Sequence, residues 1–517
     1  MRQSILRPSI RLSSPALISL LLACTAASRL LANPTAGATT QTSSTQRTTI
    51  TRFSSSSRTT ASSHLASSRG AATARESKTA RDGPTAHDGP TAHDGTSASL
   101  FAPADAFRIP CENADGALLL HARLTGGAGL DTTGLLVFDT GAGYLALSSD
   151  VIRWLHLSER PVDPMTFSPK PLQQMEIGDY RQDVVGPVLG VDTEVIEQAI
   201  DRRVLGLLGY EPLASFAVRL DYRVDTLALI PIRRDGISSA PPRRATAADL
   251  AAGMASSLQA RNASRAALGP ALGAAAVALP FEILGDGKIV VAAHVGEATE
   301  QNGSPLTLVL DTGATKTVLF TSALDHSRGS HGWPQVRGLS APTLYGSENA
   351  YVTRVPRLAV VGPDAVAGAD GVDAVVMESD LEKALSQAIE RHVDGLLGYS
   401  FLRRFRVTID YPHRILWLES VPVGRDQRRY EYSHVGVQIE RRDGVLRVVA
   451  VAEQSPAARA GIQAGDDLAG IDGIDAAKLD VIEASRRLEG PPGSRVTLRI
   501  RRGTELHTYP LTRRSLL

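Results

Sequence analysis

Two aspartates in matching surroundings carry the chemistry this sequence offers. Asp139 follows the apolar run 135–138 and opens the turn Asp139-Thr140-Gly141-Ala142. Asp311 follows the apolar run 308–310 and opens Asp311-Thr312-Gly313-Ala314. A strand that ends in such a turn presents a carboxylate at a cleft, and glycine lets backbone amides come close to it. Thr140 and Thr312 are placed to hydrogen-bond across to the opposite turn, and Gly141 and Gly313 to shape each loop. Two carboxylates brought into contact cannot both ionise near neutral pH, so they share one proton. One then serves as base and the other as acid. The base takes a proton from a water held between them, the water attacks a peptide carbonyl, and the acid protonates the carbonyl oxygen.

Such a pair needs two elements of similar build, and the chain contains them as an internal repeat. Residues 198–210 read QAIDRRVLGLLGY and residues 387–399 read QAIERHVDGLLGY, identical at ten of thirteen positions. The register continues without a gap to Leu220-Asp221-Tyr222 and Ile409-Asp410-Tyr411, and Ile109-Pro110 upstream matches Leu279-Pro280. The repeat predicts two β-lobes, at 105–232 and 276–422, separated by an Ala-, Arg- and Ser-rich linker at 233–275 with a helix near 247–261. Helical stretches are also expected before each GLLGY, near 194–203 and 381–392.

An Asp-Thr-Gly-Ala turn after an apolar strand, with apolar-apolar-Gly some 70–90 residues on, resembles the retropepsin-like aspartic proteases. That resemblance implies a mainly β fold: two acid-protease β-barrel lobes in one chain. It implies a catalytic dyad of Asp139 and Asp311, with Thr140, Gly141, Thr312 and Gly313 as the supporting turns. Leu208-Gly209 and Leu397-Gly398 would run beside the aspartate loops and support them. A flap hairpin would close over substrate, with 175–185 the candidate in the first lobe and 343–352, around Tyr345-Gly346, in the second. The first turn continues Gly143-Tyr144, where family members more often carry a small hydroxyl or acidic residue.

Residues 430–513 form a third unit. Ser455-Pro456-Ala457, Ala460-Gly461-Ile462, Gly465-Asp466-Asp467 and Ile471-Asp472-Gly473 resemble the PDZ domain attached to bacterial exported proteases. The resemblance implies that an extended peptide adds to an exposed sheet edge while a loop of backbone amides holds its terminal carboxylate. Val435, Gly436 and Val437 are the candidate loop, and the alternative is a PDZ fold that only packs on its neighbour.

The N-terminus reads as an export signal over 1–32: basic Arg2, Arg7 and Arg11, then an apolar run at 15–27 too short to span a bilayer. Leu21-Leu22-Ala23-Cys24 resembles a bacterial lipobox, which would lipidate Cys24 and tether the protein to a membrane. The other reading is a signal peptide cut later, after Ala32. Residues 33–104, rich in Ser, Thr, Ala and Arg, have too little apolar surface to offset their ordering entropy and are expected to be a disordered tether. Removal or lipidation of Cys24 leaves Cys111 without an intrachain partner, and a half-buried inert thiol is expected there.

With 55 Lys+Arg against 54 Asp+Glu, the charge balance gives no basic surplus for nucleic acid. His87 and His93 lie isolated in a flexible repeat, so no metal and no cofactor are expected. The sequence therefore predicts an exported aspartic endopeptidase of the periplasm or cell envelope. It would act on peptides or unfolded protein segments, with C-terminal peptides bound by the PDZ unit. The competing reading is a non-catalytic peptide-binding envelope scaffold that keeps the protease fold.

Overall fold

The computed structural model describes residues 105–224, 226–232, 247–296, 305–325, 332–343, 346–421 and 430–517. The segment expected to be an export signal, with Cys24, the segment 33–104 expected to be a tether, and Tyr345 lie outside the described residues. Among the described residues no helix is long and apolar enough to cross a membrane.

Each repeat folds around the same motif. In the first, the strand Ala117–Thr125 pairs antiparallel with Asp131–Phe138. The short strand Gly206–Leu208 then runs parallel beside the end of Asp131–Phe138, and Ala146–Ser148 pairs antiparallel on its other side. In the second, Lys288–Val295, Leu306–Leu310, Gly395–Leu397 and Thr317–Phe320 repeat that order and those directions. The GLL strands are buried throughout. A strand enclosed on both faces reads as a continuous apolar run rather than an alternating one, which is why Gly-Leu-Leu carries no polar residue.

The lobes join within the chain through one sheet. Phe216–Leu220 pairs antiparallel with Phe405–Asp410, in the register Val407↔Leu220 and Ile409↔Val218. Outside them lie Thr226–Pro231 and Phe107–Ala114 on one side, and Ile415–Ser420 and Val277–Pro280 on the other. One apolar cluster runs through both lobes, including Ile109, Phe138, Leu208, Leu310, Leu397 and Phe401. Cys111 sits in this core and is buried rather than half-buried.

The helix expected near 247–261 spans Ala247–Leu268. Its buried Ser264 donates to Asp410 Oδ2 at 2.5 Å and accepts from Trp417 Nε1 at 2.8 Å, which docks the helix on the second lobe. The helices before each GLLGY are Glu194–Ile200 and Asp380–Ala388, shorter than expected. Asp201 and Glu390, equivalent in the repeat, follow with left-handed backbones at φ 54° and 53°.

The two lobes differ in their hairpins. The second has a long one, Gln335–Thr343 with Gly346–Val361, spanning the expected flap at 343–352. In the first lobe, 175–185 also forms a hairpin, Leu172–Ile177 with Tyr180–Gly186. Leu172–Ile177 pairs with Ala117–Thr125 just as the end of Gly346–Val361 pairs with Lys288–Val295. It therefore corresponds to the second lobe's later hairpin, whose return strand is Val366–Met377, and not to its flap.

The C-terminal unit is a sheet of Val437–Arg442, Val445–Val451, Asp467–Ile471, Arg495–Arg502 and Glu505–Thr512, with Val437–Arg442 at one edge. The helix Val481–Leu488 covers it, burying Val481, Ala484 and Leu488 in the unit's own core.

Candidate active site

The ends of the two aspartate strands meet. Asp139 N–H donates to the Leu208 carbonyl at 3.0 Å and Asp311 N–H to the Leu397 carbonyl at 3.1 Å. The parallel GLL strands thus hold the loops in place. Gly209 and Gly398 must be glycine because of close approach: a Cβ on Gly209 would lie 2.4 Å from the Tyr144 carbonyl oxygen, and one on Gly398 2.2 Å from that of Lys316.

Four buried hydrogen bonds tie the turns together. Thr140 N–H donates to Thr312 Oγ1, whose hydroxyl donates to the Phe138 carbonyl. Thr312 N–H donates to Thr140 Oγ1, whose hydroxyl donates to the Leu310 carbonyl. All four measure 3.0 Å. Each hydroxyl accepts once and donates once, so each threonine uses a capacity that neither valine nor alanine has.

Asp139 and Asp311 are 1% and 0% exposed. Gly141 N–H donates to Asp139 Oδ1 at 3.0 Å, and Gly313 N–H to Asp311 Oδ1 at 2.8 Å, joined by Ala314 N–H at 3.1 Å. Gly313 packs against the Asp139 carboxylate, with 2.8 Å between the site of a Cβ and Asp139 Cγ. The Oδ2 atoms of both aspartates are buried and have no hydrogen-bond partner in the fold. Burying a polar atom unpaired is costly, and in a native structure it calls for a functional account.

Burial pushes both carboxyls up, and the pair splits. Asp139 is pushed up to about 6, held from rising further by the side-chain hydrogen bond with Asp311, the Gly141 amide and the Lys288 ammonium. Asp311 is raised well above the usual carboxylate range, first by burial and then by the charge of Asp139 beside it. Both shifts run toward the protonated form.

Three features here escaped the sequence reading. Tyr210 of the first GLLGY meets Tyr411 of the second lobe at 5.3 Å between ring centres, and Tyr399 meets Tyr222 at 4.8 Å. These tyrosines recur at matched positions in both repeats, a signal that could have marked them. Gly143 is a glycine because the turn at Asp286 reaches it: a Cβ there would lie 2.2 Å from the Asp286 carbonyl oxygen. Finally, Lys288, fully buried, donates from Nζ to the Gly141 carbonyl at 3.1 Å and to Asp286 Oδ1 at 2.8 Å. No motif pointed to it.

In the C-terminal unit Val435 and Val437 are buried, and Gly436 has φ +88°. Gly436 N–H donates to His434 Nδ1 at 3.0 Å. The first lobe bridges the strand Val437–Arg442 and the helix Val481–Leu488. The Asp201 carboxylate accepts from Arg441 Nε at 2.8 Å and from Val481 N–H at 3.2 Å, and Ile482 packs on the first lobe's apolar cluster around Ile196 and Ile200. The unit also holds the second lobe's long hairpin. Glu453 N–H donates to the Arg337 carbonyl at 2.9 Å, and Ser340 N–H to Gln438 Oε1 at 3.0 Å.

Two family models match parts of the chain. Residues 298–401 match the aspartyl protease family model, and residues 447–502 match the PDZ domain model. The chain is 33% identical over 114 residues to a carboxy-terminal-processing protease of Bartonella bacilliformis, covering 22% of this chain and 24% of that protein. It is 44% identical over 68 residues to the chloroplastic carboxyl-terminal-processing peptidase 2 of Arabidopsis thaliana, covering 13% of each. The chain thus spans about a quarter or less of these two curated relatives. An aspartic proteinase from Irpex lacteus aligns over 61% of this chain and 97% of its own, at 13% identity and a TM-score of 0.34. Residues 298–401 are thus similar to an aspartyl protease and residues 447–502 to a PDZ domain, joined in one mainly β chain.

Proposed function

We propose that this protein is an aspartic-type endopeptidase whose nucleophile is a water activated by Asp139 and Asp311. The observation that carries the reading is that four buried crossing hydrogen bonds lock the two aspartate turns together, leaving on each carboxyl a buried Oδ2 atom that no protein donor reaches. A water between those atoms gives its proton to ionised Asp139 as its oxygen attacks the peptide carbonyl carbon. Neutral Asp311 passes its proton to the carbonyl oxygen, forming a tetrahedral diol. Asp139 then protonates the leaving nitrogen as the C–N bond breaks, and Asp311 regains a proton from the diol. Substrates would be extended peptides or unfolded segments, with the hairpin Gln335–Thr343 and Gly346–Val361 acting as the flap. The reading includes export to the periplasm or cell envelope, with a lipid on Cys24 as anchor.

The test is cleavage of a mixed peptide library with and without an inhibitor of aspartic peptidases. Cleavage should be inhibitor-sensitive, and its rate should rise as pH passes about 6, where Asp139 ionises. It should fall only when Asp311 loses its proton, at a pH well above the ordinary carboxylate range. No inhibitor-sensitive cleavage anywhere from acid to alkaline pH would favour the peptide-binding scaffold.

The PDZ domain is proposed to take peptide C-termini along Val437–Arg442, with the loop Val435-Gly436-Val437 at the carboxylate end. In the intact chain Asp201 bridges strand and helix at the other end, so a bound peptide competes with that contact. Asp201→Ala in the full chain should tighten binding of a C-terminal peptide by roughly five- to tenfold, since a charge-assisted hydrogen bond is worth about 1.5–3 kcal/mol and only part of it opposes the peptide. Fluorescence anisotropy of a labelled peptide reads this directly. Equal affinity in the two proteins would mean that the first lobe leaves the groove open.

A further inference from the structure

The two aspartate turns are built alike, yet the lobes do not support them alike. Strand registers equate Val137 with Val309, and hence Leu119 with Val290. Counting back two residues equates Ala117 with Lys288, and Gly116 with Gly287. A second contact gives the same equivalence. Gly116 lies against Tyr399, and Gly287 against Tyr210, the tyrosine at the matching position of the other repeat. Each lobe therefore sends its hairpin turn under the other lobe's aspartate loop. The second lobe's turn carries a lysine at this position and the first lobe's an alanine, while the aspartate two places earlier, Asp286 and Asp115, is present in both.

Lys288 is 0% exposed, and its Nζ donates to the carbonyl of Gly141. Gly141 is the residue whose own N–H donates to Asp139 Oδ1. Fully burying a lysine is expensive unless its charge is paired, and Asp286 supplies the pairing from the same turn. The other titratable groups around this cluster are Asp311 across the dyad, Tyr411 and its neighbour Tyr210, Tyr144, and Glu211, whose N–H donates to the Gly143 carbonyl.

We propose that Lys288 is a positioning residue that breaks the symmetry of the dyad: its ammonium, seated under the first aspartate turn, has only Ala117 at the matching position of the other repeat, and it makes Asp139 the base and Asp311 the acid. This rests on the acid–base reading above. Lys288 touches neither substrate nor the reacting water. It acts through the Gly141 carbonyl and through its charge on Asp139, which it pulls toward the ionised form.

The experiment compares pH profiles of kcat/KM for the full-length protein, Lys288→Met and Asp286→Asn, on a peptide the library identifies as cleaved. Lys288→Met should move the acidic limb up by about one pH unit, the size expected for losing one nearby opposite charge. Asp286→Asn leaves the lysine charge uncompensated and should move the same limb down. The plateau kcat and KM should change less than the limb does. A purely structural lysine would lower the plateau in both variants and leave the limb where it is. An unmoved acidic limb, or a shift of both variants in the same direction, overturns the proposal. If Lys288→Met does not fold, Asp286→Asn decides alone: a downward limb supports the proposal, and an unmoved limb overturns it. A carbon-13 titration of the aspartate carboxyls, with the Asp139 signal assigned by its loss in Asp139→Asn, reads the same shifts without activity. It keeps the test independent of the peptidase reading: wild-type protein that cleaves nothing defeats that reading, whereas an Asp139 titration indifferent to Lys288 defeats this one.

Discussion

Asp139→Asn and Asp311→Asn should each lower kcat on a cleaved peptide by about 10²–10⁴-fold, the range that a positioned general acid or base supplies. The two losses should not add in the double variant, because the carboxyls act as one unit on one proton. The fold should survive. Asparagine keeps an oxygen at Oδ1 to accept the Gly141 or Gly313 N–H, and it carries no charge to bury. Stability gives an independent check with a definite sign. Both aspartates have folded-state values raised above their unfolded ones, so the native state keeps protons that the unfolded state has lost. For Asp139 this penalty is absent below about pH 4, grows as pH rises to about 6, and is constant beyond. The asparagine variants should therefore melt at the wild-type temperature or above it at pH 7, and lose that advantage in acid. Initial rates with matched melting curves measure both effects. Wild-type turnover in either single variant would falsify the shared-dyad mechanism.

Thr140→Val should destabilise the two lobes by about 2–6 kcal/mol. Valine has nearly the same shape, so no cavity forms and the loss is one of hydrogen bonds. It strands two buried backbone groups, the Thr312 N–H and the Leu310 carbonyl, at about 1–3 kcal/mol each. Thr312→Val should behave alike, stranding the Thr140 N–H and the Phe138 carbonyl. Thr140→Ser keeps the hydroxyl and loses only a buried methyl, for about 1 kcal/mol. Urea midpoints of the three variants decide. A valine variant within 0.5 kcal/mol of the wild type would mean that the crossing bonds do not hold the turns together. Activity should fall alongside stability in the valine variants, since these bonds set the distance between the carboxyls.

Much of the site is readable from sequence because it is made of local motifs used twice. An apolar strand, a glycine turn and a GLL strand each announce themselves within a few residues, and the repeat at 198–210 and 387–399 makes chance an unattractive account. Even Gly143-Tyr144, which departs from the family pattern, has a local-looking cause that is not local. Gly143 is small because Asp286, more than 140 positions later, leaves no room for a Cβ. The first-lobe hairpin at 175–185 misled for a similar reason. A hairpin signal says that two strands pair; only their pairing with Ala117–Thr125 tells which hairpin it is.

What the linear order of residues determined is the set of parts: two aspartate turns, their GLL supports, and a PDZ-like unit behind them. Each depends on short-range periodicity and turn chemistry, which the chain spells out directly. The tertiary structure alone decided how the parts differ. Lys288 under the first turn, the tyrosine pairs that cross between lobes, and Asp201 reaching Arg441 and Val481 all depend on which distant segments touch. Side-chain charge acts through space rather than along the chain, so the asymmetry of two near-identical carboxylates becomes visible only once the lobes are folded together.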